Sequence, residues 1–570
     1  MTPPTLDFAT LRAQTLGIDT PLATPFGERL MVYADFTASG RCLRFVEDYL
    51  ADLARLYANS HTEDDTTGRV TTHLLHEAEA VLKAAVNAGP SGRIIACGTG
   101  STGAIDKLQQ ILGITLPPAT RRRVGGLLRE HFGPEAVTAF SETLREHQPV
   151  VFVGPYEHHS NEVTWREGLA TVVETRLAAD GGVDLGHLEE LLRDERWTDR
   201  PRIGSFSAAS NVTGMRTPVH EVARLLHRYD ALACFDFAAS APYVEIDMNP
   251  EGDAEGALDA VFLSPHKYLG GPGASGVLVF NERIYPHDLA PSVGGGGTVD
   301  YVGPTSHDFT ADVEAREKAG TPGVLQILRA ALAVQVKHAV GVERIEAREQ
   351  ELLRRAFARW GALDAVELLG NPDPARRVGI VSFNLRCSNG QYLHPKLVTT
   401  LLNDVFGIQS RAGCSCAGPY GHRLLGIDDA TSEKYRAWVR KGYHGIKPGW
   451  CRVGFHYAMD DAEADFIIDA VAFLAREGER FLPLYDFDLD SGVWVHRDAD
   501  ETMPSLSITD ALDAPKRPDS PLSKEQRAVR YAETLAEAEA WAARLDARAS
   551  SFALDGELGE LQFFTLPAEA

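Results

Sequence analysis

Short apolar runs alternate with longer amphipathic stretches over the first half of the chain. Between about residues 90 and 280 the apolar runs are RIIACG, QPVVFVGP, IGSFSAAS, ALACFDFA, DAVFLS and GVLVFN. Strand-like runs that alternate with helical ones are typical of βαβ units, so this part predicts a mainly parallel sheet. The stretches HEAEAVLKAAVNAG and VHEVARLLHRYD have apolar residues at three- and four-residue spacing and predict helices. We therefore expect an α/β fold.

A second pattern begins after the glycine-rich loop SVGGGG. A helical stretch runs from about Val324 to Leu363, and strand-like VGIVSFNL and helical KLVTTLLNDVFG follow it. This order predicts a second, smaller α/β domain. Residues 497–524 are rich in Asp, Pro and Ser, which is a linker composition, and residues 524–549 predict one amphipathic helix. We interpret the end of the chain as an appendage.

The composition excludes several classes of protein. The 570 residues are 44% hydrophobic and 24% charged, with 56 Lys and Arg against 80 Asp and Glu, a net charge of −24. Such a balance does not favour a nucleic-acid partner. No apolar run is long enough to span a membrane, and the N-terminus lacks a signal sequence, so we expect a cytoplasmic protein with no membrane partner. Seven cysteines, an odd and sparse set, predict reduced thiols.

A glycine-rich turn follows the first strand of the predicted sheet. GTGST at Gly98–Thr102 opens a helix, and its backbone N–H groups with the Ser101 and Thr102 hydroxyls can bind phosphate. The same residues can equally be an ordinary helix cap. The turn also fits G-x-G-x-x-G, but the acidic residue expected about 20 positions later is missing. Arg121–Arg123 could replace it at an NADP site, so a nicotinamide-dependent oxidoreductase remains an alternative.

Two more strands of the predicted sheet end in ionisable side chains. Ser264, His266 and Lys267 lie in SPHK, and a lysine beside phosphate-binding groups suits a Schiff base with an aldehyde cofactor. Most lysines are simply solvated, and that interpretation competes here. Asp236 ends the strand ALACFDF. It can hold a pyridinium nitrogen protonated or cap the following turn.

A histidine pair and a cysteine pair complete the candidates. His158 in EHHSN could stack on a flat ring and exchange protons near neutral pH, although paired histidines are more often structural. Cys414 and Cys416 are the two cysteines in a polar, glycine-rich loop, RAGCSCAGP. With His422 they offer no second clean pair of ligands, so we predict no metal site.

The order of these motifs is more specific than any one of them. From about Tyr33 to Phe481 it runs YADFTASGR, GTGSTGAI, EHHSN, SNVTG, DFAAS, SPHK, GGGT, AGTP, RAGCSCAGP and WCRVGF. This series resembles the class V aminotransferase family, fold type I enzymes that depend on pyridoxal 5′-phosphate, and within it the group II cysteine desulfurases and selenocysteine lyases. The resemblance implies a large domain with a mainly parallel seven-stranded sheet, a smaller C-terminal α/β domain, a helical extension and a homodimer. The expected bounds are 1–30 for an N-terminal segment that packs on the small domain, 31–324 for the large domain, 325–490 for the small domain and 491–570 for the linker and extension.

The resemblance also implies cofactor-binding roles. Lys267 would form the Schiff base and remove the α-proton, His158 would stack on the pyridoxal ring, and Asp236 would pair with the ring nitrogen. The residues that would hold the phosphate are Ser101, Thr102, Ser264, His266 and, from the neighbouring subunit, Thr298 of the GGGT loop.

Substrate-binding and sulfur-binding roles follow from the same resemblance. Arg452 would bind the substrate carboxylate, with Arg411 as an electrostatic aid, and Asn211 would lie beside the ring hydroxyl or that carboxylate. Cys416 would be the nucleophile that receives sulfur. Cys414 stands where a histidine is common, so either thiol could be the carrier.

The sequence departs from the desulfurase pattern at several positions. Ala239 replaces a Gln that usually bonds the ring oxygen, and Lys318 stands where a Glu precedes AGTP, with Glu317 adjacent. About 30 residues separate the cysteine motif from Arg452, which is long for a compact desulfurase. These departures affect the prediction of the substrate more than the prediction of the cofactor.

The predicted activity is the removal of sulfur from L-cysteine or a related amino acid, which gives alanine and a persulfide on Cys416 for a sulfur-acceptor protein. One alternative keeps the cofactor but acts as a β-lyase, aminotransferase or epimerase, with Cys416 structural. Another is a non-catalytic sulfur-handling or scaffold protein whose C-terminal helix, within residues 525–549, binds a partner.

Overall fold

The computed structural model describes residues 5–60, 62, 64–98, 100–499, 521–545 and 552–567. These residues form two compact units. Unit 1 is built on Ala38–Glu346, and unit 2 on Leu6–Thr37 and Ala347–Ala570. Within the described part of the chain, no helix is both long and apolar enough to cross a membrane.

The helices, in chain order, are α1 (Phe8–Gln14), α2 (Arg44–Leu53), α3 (Thr66–Ala84), α4 (Gly100–Ile111), α5 (Pro118–Phe132), α6 (Pro134–His147), α7 (Val163–Glu167), α8 (Leu185–Leu192), α9 (Val219–Arg228), α10 (Val313–Arg316), α11 (Val324–Val340), α12 (Val342–Trp360), α13 (Pro395–Phe406), α14 (Gly418–Leu424), α15 (Asp429–Arg440), α16 (Asp461–Glu477), α17 (Lys524–Ala542) and α18 (Gly556–Leu561).

The strands are β1 (Pro21–Thr24), β2 (Gly27–Leu30), β3 (Val32–Tyr33), β4 (Gly92–Cys97), β5 (Val150–Val153), β6 (Thr171–Glu174), β7 (Arg202–Ser207), β8 (Ala231–Asp236), β9 (Ala260–Leu263), β10 (Gly276–Asn281), β11 (Val299–Val302), β12 (His307–Phe309), β13 (Val366–Leu368), β14 (Ile380–Leu385), β15 (Ile408–Gln409), β16 (Arg411–Gly413), β17 (Trp450–Gly454), β18 (Tyr485–Asp488) and β19 (Val493–His496).

A seven-stranded sheet forms the centre of unit 1. Its order is β4-β10-β9-β8-β7-β5-β6, and only β10 runs antiparallel to its neighbours. The mainly parallel sheet predicted from the sequence is therefore confirmed. Strand β6 has no counterpart among the predicted apolar runs, because it lies at an edge of the sheet and its four residues are only partly buried.

The long helical stretch after residue 324 is two helices. It breaks at Gly341, whose φ of +91° only glycine adopts readily, so α11 and α12 are separate. The predicted boundary between domains lay at 324/325, whereas the division between units runs inside α12 at Glu346/Ala347. The reason is that α11 contacts α3 and α2, which buries its apolar side chains in unit 1.

Unit 2 is organised around an antiparallel sheet of order β13-β14-β17-β16. The segment Leu6–Thr37 belongs to this unit, where β1 and β2 contact α13 and β3 pairs with β15 in parallel. The insert between the cysteine motif and Arg452 contains α14 and α15. Strand β17 then carries Arg452 into the centre of the sheet, paired on both sides.

The C-terminal helix is part of unit 2 rather than an appendage. α17 ends at Ala542, and most of the predicted linker (500–520) and the predicted helix end (546–549) lie outside the described residues. Tyr531 of α17 stacks on Phe466 of α16, with ring centroids 4.3 Å apart and an interplanar angle of 12°. Arg527 pairs with Asp460 in the same interface. Further along, Tyr435 of α15 donates to the carbonyl oxygen of Leu561 at 2.9 Å, so α18 covers the insert.

The packing of α17 on α16 predicts that removing one buried side chain weakens the attachment of the helix. Tyr531→Ala removes a buried ring that is 5% exposed, and we expect the free energy of opening α17 to fall by about 3 kcal/mol. Hydrogen exchange of the α17 amides measures this. Val529→Ala, at a side chain 56% exposed on the same helix, is the matched control and should leave protection unchanged. Equal protection in both variants would contradict the packing of Tyr531 on Phe466.

Candidate active site

The turn that carries Lys267 is enclosed by backbone from two other segments. Residues Pro265–Lys267 form one 3₁₀ turn directly after β9, and the Gly40 N–H donates to the carbonyl oxygen of His266 at 2.9 Å. A Cβ added at Gly40 would lie 2.0 Å from the Tyr268 carbonyl oxygen. Such a separation is impossible for any side chain, so the close approach requires glycine. The backbone around Lys267 is therefore held in one conformation.

The glycine-rich turn before α4 packs against the same loop. The Ser101 N–H donates to Ser264 Oγ at 2.8 Å. A Cβ at Gly100 would lie 2.8 Å from that oxygen and 3.5 Å from His266 Nε2, and the φ of Gly100 is +55°. A Cβ at Gly98 would instead meet nothing within 4 Å, so there is open space beside this turn. Hydroxyl groups and the N-terminus of the twelve-residue helix α4 adjoin this open space. Such a site suits an anion such as phosphate.

Asp236 lies at the carboxyl end of β8 and is buried. Its Oδ1 accepts a hydrogen bond from the Ala238 N–H at 2.9 Å. Burial raises the pKa of Asp236, while the Ala238 N–H, the charge of Lys267 and the Ser101 hydroxyl lower it. Lys267 and Ser101 therefore both lie close enough to Asp236 to act on its carboxyl group. A buried carboxylate of this kind is stabilised by a cationic N–H donor such as a pyridinium.

His158 belongs to a chain of hydrogen bonds that reaches α4. Its Nδ1 accepts from the Ser160 N–H at 3.1 Å, so the neutral ring carries its proton on Nε2. Ser160 Oγ also lies 2.7 Å from Thr102 Oγ1, which links two residues predicted to bind the cofactor. Burial of His266, with the charge of Lys267, lowers its pKa to about 4, so His266 is neutral near pH 7.

Glu157 is a residue of this site that the sequence analysis assigned no role. Its Oε1 accepts from the Gly154 N–H at 3.1 Å and the Ser207 N–H at 2.8 Å, and its Oε2 accepts from Asn161 Nδ2 at 2.7 Å. Burial raises the pKa of Glu157 to about 7 despite these donors. The carboxyl group thereby ties the loop that carries His158 to β7. Its signal in the sequence is an acidic residue four positions after the end of a buried strand.

Asn211 and Thr298 lie on loops at other positions of unit 1. Asn211 is buried in the loop after β7, next to Ser210, whose hydroxyl accepts the N–H groups of Val212 and Thr213. Thr298 Oγ1 accepts from the Gly295 N–H at 3.1 Å and donates to the Gly295 carbonyl oxygen at 2.8 Å. The Thr298 hydroxyl thus closes its own GGGT loop. Its contribution to a neighbouring subunit remains a prediction.

Unit 2 contains the predicted carboxylate-binding arginine in an ion-pair triad. Arg452 Nη2 and Arg411 Nε each lie 2.9 Å from one oxygen of Asp35. Arg452 is buried, and burial lowers its pKa against the raising effect of Asp35. Asp35 is a second residue missed by the sequence analysis, although it lies in the motif YADFTASGR. The carboxylate fixes Arg452 while Arg411, half-exposed, faces solvent.

Cys414 and Cys416 are exposed in the loop between β16 and α14. The intervening Ser415 accepts a hydrogen bond from Trp450 Nε1 at 3.1 Å, which fixes the loop to β17. Cys97 and Cys234 are buried. Among the described residues, no three His, Cys, Asp or Glu side chains are grouped as a metal site would require.

The nicotinamide alternative disagrees with the sheet. In a dinucleotide-binding fold, the strand before the G-x-G-x-x-G turn is central and parallel to its neighbours. Here that strand is β4, which lies at the edge and pairs antiparallel with β10. The alternative is therefore wrong. The open turn before α4, the buried Asp236 and the partly buried Lys267 instead fit a phosphorylated pyridine aldehyde.

Comparisons with known proteins point the same way. The class V aminotransferase family matches residues 135–467. A probable cysteine desulfurase of Halalkalibacterium halodurans is 31% identical over 274 residues, which cover 47% of this chain and 62% of that protein. A probable cysteine desulfurase of Staphylococcus aureus is 29% identical over 399 residues, which cover 69% of this chain and 84% of that protein.

Solved structures share the fold. The cysteine desulfurase of Thermococcus onnurineus superposes with a TM-score of 0.61 at 21% identity, covering 78% of this chain and 95% of that one. The cysteine desulfurase CsdA of Escherichia coli gives a TM-score of 0.60 at 20% identity, covering 82% and 98%. With more than half of its length matched by the family and with this architecture, the chain belongs to the class V aminotransferase family and has the fold of the fold type I enzymes.

Proposed function

We propose that the protein is a pyridoxal-phosphate-dependent cysteine desulfurase, which removes sulfur from L-cysteine to give alanine and a persulfide on Cys416. The observation that supports the cofactor most directly is the buried Asp236, on which the charge of Lys267 and the Ser101 hydroxyl act. The curated relatives named probable cysteine desulfurase support the substrate. We also propose that the chain works as a cytoplasmic homodimer and passes its sulfur to an acceptor protein.

Unit 1 would bind the cofactor. Lys267 is the amine that would hold the aldehyde, and Asp236 would pair with the ring nitrogen. The ring would lie against His158 and near Asn211, and the phosphate would be held by Ser101, Thr102, Ser264, His266 and the partner's Thr298. When bound, pyridoxal phosphate supplies a covalent attachment for the substrate amine and an electron sink for the charge that develops at Cα.

The protein's own groups would then act on the substrate. Lys267, released from the aldehyde, would carry the α-proton, because an amine held in a fixed turn is placed for proton transfer. Arg452 would bind the substrate carboxylate through its guanidinium plane, whose orientation Asp35 sets. The Cys416 thiolate would attack the substrate sulfur and retain it as a persulfide. Arg411, which pairs with the other Asp35 oxygen, would add positive charge there.

The proposed role of Lys267 predicts the loss of cofactor attachment. We expect Lys267→Ala to lose alanine formation by at least about a thousandfold, because both the covalent hold and the proton carrier are removed. Borohydride reduction followed by peptide mapping should label Lys267 in the wild type and nothing in the variant. Lys524→Ala, at an exposed lysine in α17, is the control for the loss of one amine. Labelling at another lysine would contradict the assignment.

The proposed role of Cys416 separates the desulfurase from the alternatives that keep the cofactor. Cys416→Ala should bind pyridoxal phosphate normally but form at least about a hundredfold less alanine from L-cysteine, because only the thiolate is nucleophilic. Quantified alanine and the absorbance of the bound cofactor measure the two effects. Cys42→Ala, at a partly buried thiol of unit 1, is the matched control. Full activity in Cys416→Ala would favour a β-lyase, aminotransferase or epimerase.

Asp35 is expected to act as a positioning residue for Arg452. Asp35→Asn removes the charge that orients a buried guanidinium, and we predict about a tenfold rise in KM for L-cysteine with a much smaller change in kcat. Steady-state kinetics measure the split. Asp35→Glu keeps the charge and should recover part of the loss. A lower KM in Asp35→Asn would instead mean that Asp35 competes with the substrate carboxylate.

A further inference from the structure

The two exposed cysteines of unit 2 lie in one tight turn. The Ala417 N–H donates to the Cys414 carbonyl oxygen at 3.0 Å, and the two central residues, Ser415 and Cys416, have φ values of +51° and +57°. A turn with positive φ at both central positions is type I′. Neither central residue is glycine, so the surrounding structure must hold this strained backbone in place.

The surroundings hold the turn firmly. Ser415 accepts from Trp450 Nε1 at 3.1 Å, and Trp450 is fully buried. Gly413, directly before the turn, pairs with Trp450, and a Cβ at Gly449 would lie 2.9 Å from the Gly413 Cα. The Ser415 hydroxyl therefore faces the core of unit 2, while Cys414 and Cys416, on either side of Ser415, are exposed.

The turn sets the Cα separation of the two cysteines within the range found for disulfides. Two Cα–Cα steps of about 3.8 Å that meet at the roughly right angle of a turn put the Cys414 and Cys416 Cα atoms about 5.4 Å apart. Disulfides form at Cα separations of about 4.4–6.8 Å. A disulfide across only three residues is strained, and strained, exposed disulfides are the ones that thiols reduce readily.

An electrostatic interaction links Cys416 to Arg452. Burial lowers the pKa of Arg452, Asp35 raises it, and a thiolate at Cys416 would raise it further. Cys416 is therefore coupled to the arginine that would bind the substrate carboxylate. This favours Cys416 as the thiol that accepts sulfur and leaves Cys414 as the second thiol of the pair.

We propose that Cys414 is a resolving cysteine, which discharges the persulfide on Cys416 as free hydrosulfide and forms a Cys414–Cys416 disulfide that an external thiol then reduces. The inference rests on the proposed function. Cys414 gives up its proton to solvent, and its thiolate attacks Cys416 Sγ. The bond between Sγ and the outer sulfur breaks, and its electron pair leaves with that sulfur as HS⁻.

The step moves two electrons from Cys414 to the outer sulfur. The outer sulfur is reduced to sulfide and the Cys414 sulfur is oxidised, while Cys416 Sγ keeps its oxidation state and exchanges one sulfur partner for another. Two equivalents of a low-molecular-weight thiol restore both cysteines and leave as their own disulfide. The protein would thus release inorganic sulfide when no acceptor protein is bound, as a second product route from the same site.

The test is one turnover without added thiol. The full-length protein with pyridoxal phosphate receives one equivalent of L-cysteine, and alanine, sulfide and the mass of the tryptic peptide Ala412–Arg423 are measured after alkylation. This peptide contains both cysteines of the turn. The wild type should release one sulfide for each alanine, and its peptide should carry the disulfide, about 2 Da below the dithiol.

Cys414→Ser isolates the resolving step. It should form as much alanine as the wild type but at least about tenfold less sulfide, and its peptide should retain the extra sulfur of about 32 Da on Cys416. Cys42→Ser also lacks one thiol and should behave as the wild type. The proposal is overturned if the wild type keeps the persulfide without a disulfide, or if Cys414→Ser releases sulfide at the wild-type yield.

A second arm separates this proposal from the proposed function. A protein that forms no alanine contradicts the desulfurase activity, and the cysteine pair is then tested without turnover. Diamide should oxidise the wild type to the Cys414–Cys416 disulfide, and inorganic sulfide should open it to a persulfide on Cys416, the reverse of the proposed step. Absence of that intramolecular disulfide overturns the proposal whatever the alanine result.

Discussion

Unit 1 depends on backbone segments that approach the Lys267 turn too closely for any side chain. Besides Gly40, a Cβ at Gly271 would lie 1.9 Å from the Pro265 carbonyl oxygen, and one at Gly276 would lie 2.0 Å from the Gly100 carbonyl oxygen. These contacts tie the end of β9, the start of β10 and the turn before α4 together. These contacts fix the backbone that carries Lys267. A site that binds a rigid ring needs its functional groups held in fixed positions.

Both units contain buried ionisable side chains that are held by partners from nearby segments. Asp236 and Glu157 of unit 1 are carboxyl groups whose pKa values burial raises, and each is held by donors from neighbouring loops. In unit 2, burial lowers the pKa of Arg452, and the charge of Asp35 offsets part of that effect. Burying a charge is costly unless it is paired, so each of these groups fixes the loops that supply its partners. The electrostatic arrangement and the backbone geometry therefore depend on each other.

The parts of unit 2 that depart from a compact desulfurase support one another. The insert after the cysteine motif supplies α15, and Trp438 of that helix donates to Glu557 at the start of α18 at 2.7 Å. Lys434 pairs with Glu560 in the same contact. The C-terminal segment thus covers a surface that the insert creates. The extra length on either side of Arg452 therefore packs together where α15 contacts α18, whereas α17 is held in unit 2 by α16.

The sequence by itself determined the main features of the fold and the types of residue in the site. Six apolar runs predicted six of the seven strands of the main sheet, because buried parallel strands are apolar along their whole length, whereas the half-buried edge strand β6 has no such signal. The order of the motifs was enough to identify the family. Only the tertiary structure decided the roles of Asp35 and Glu157, because their partners lie up to 417 residues away in the chain. The same holds for the turn that joins Cys414 and Cys416: their spacing is visible in the sequence, but its strained conformation is held by Trp450, and no local pattern encodes that contact.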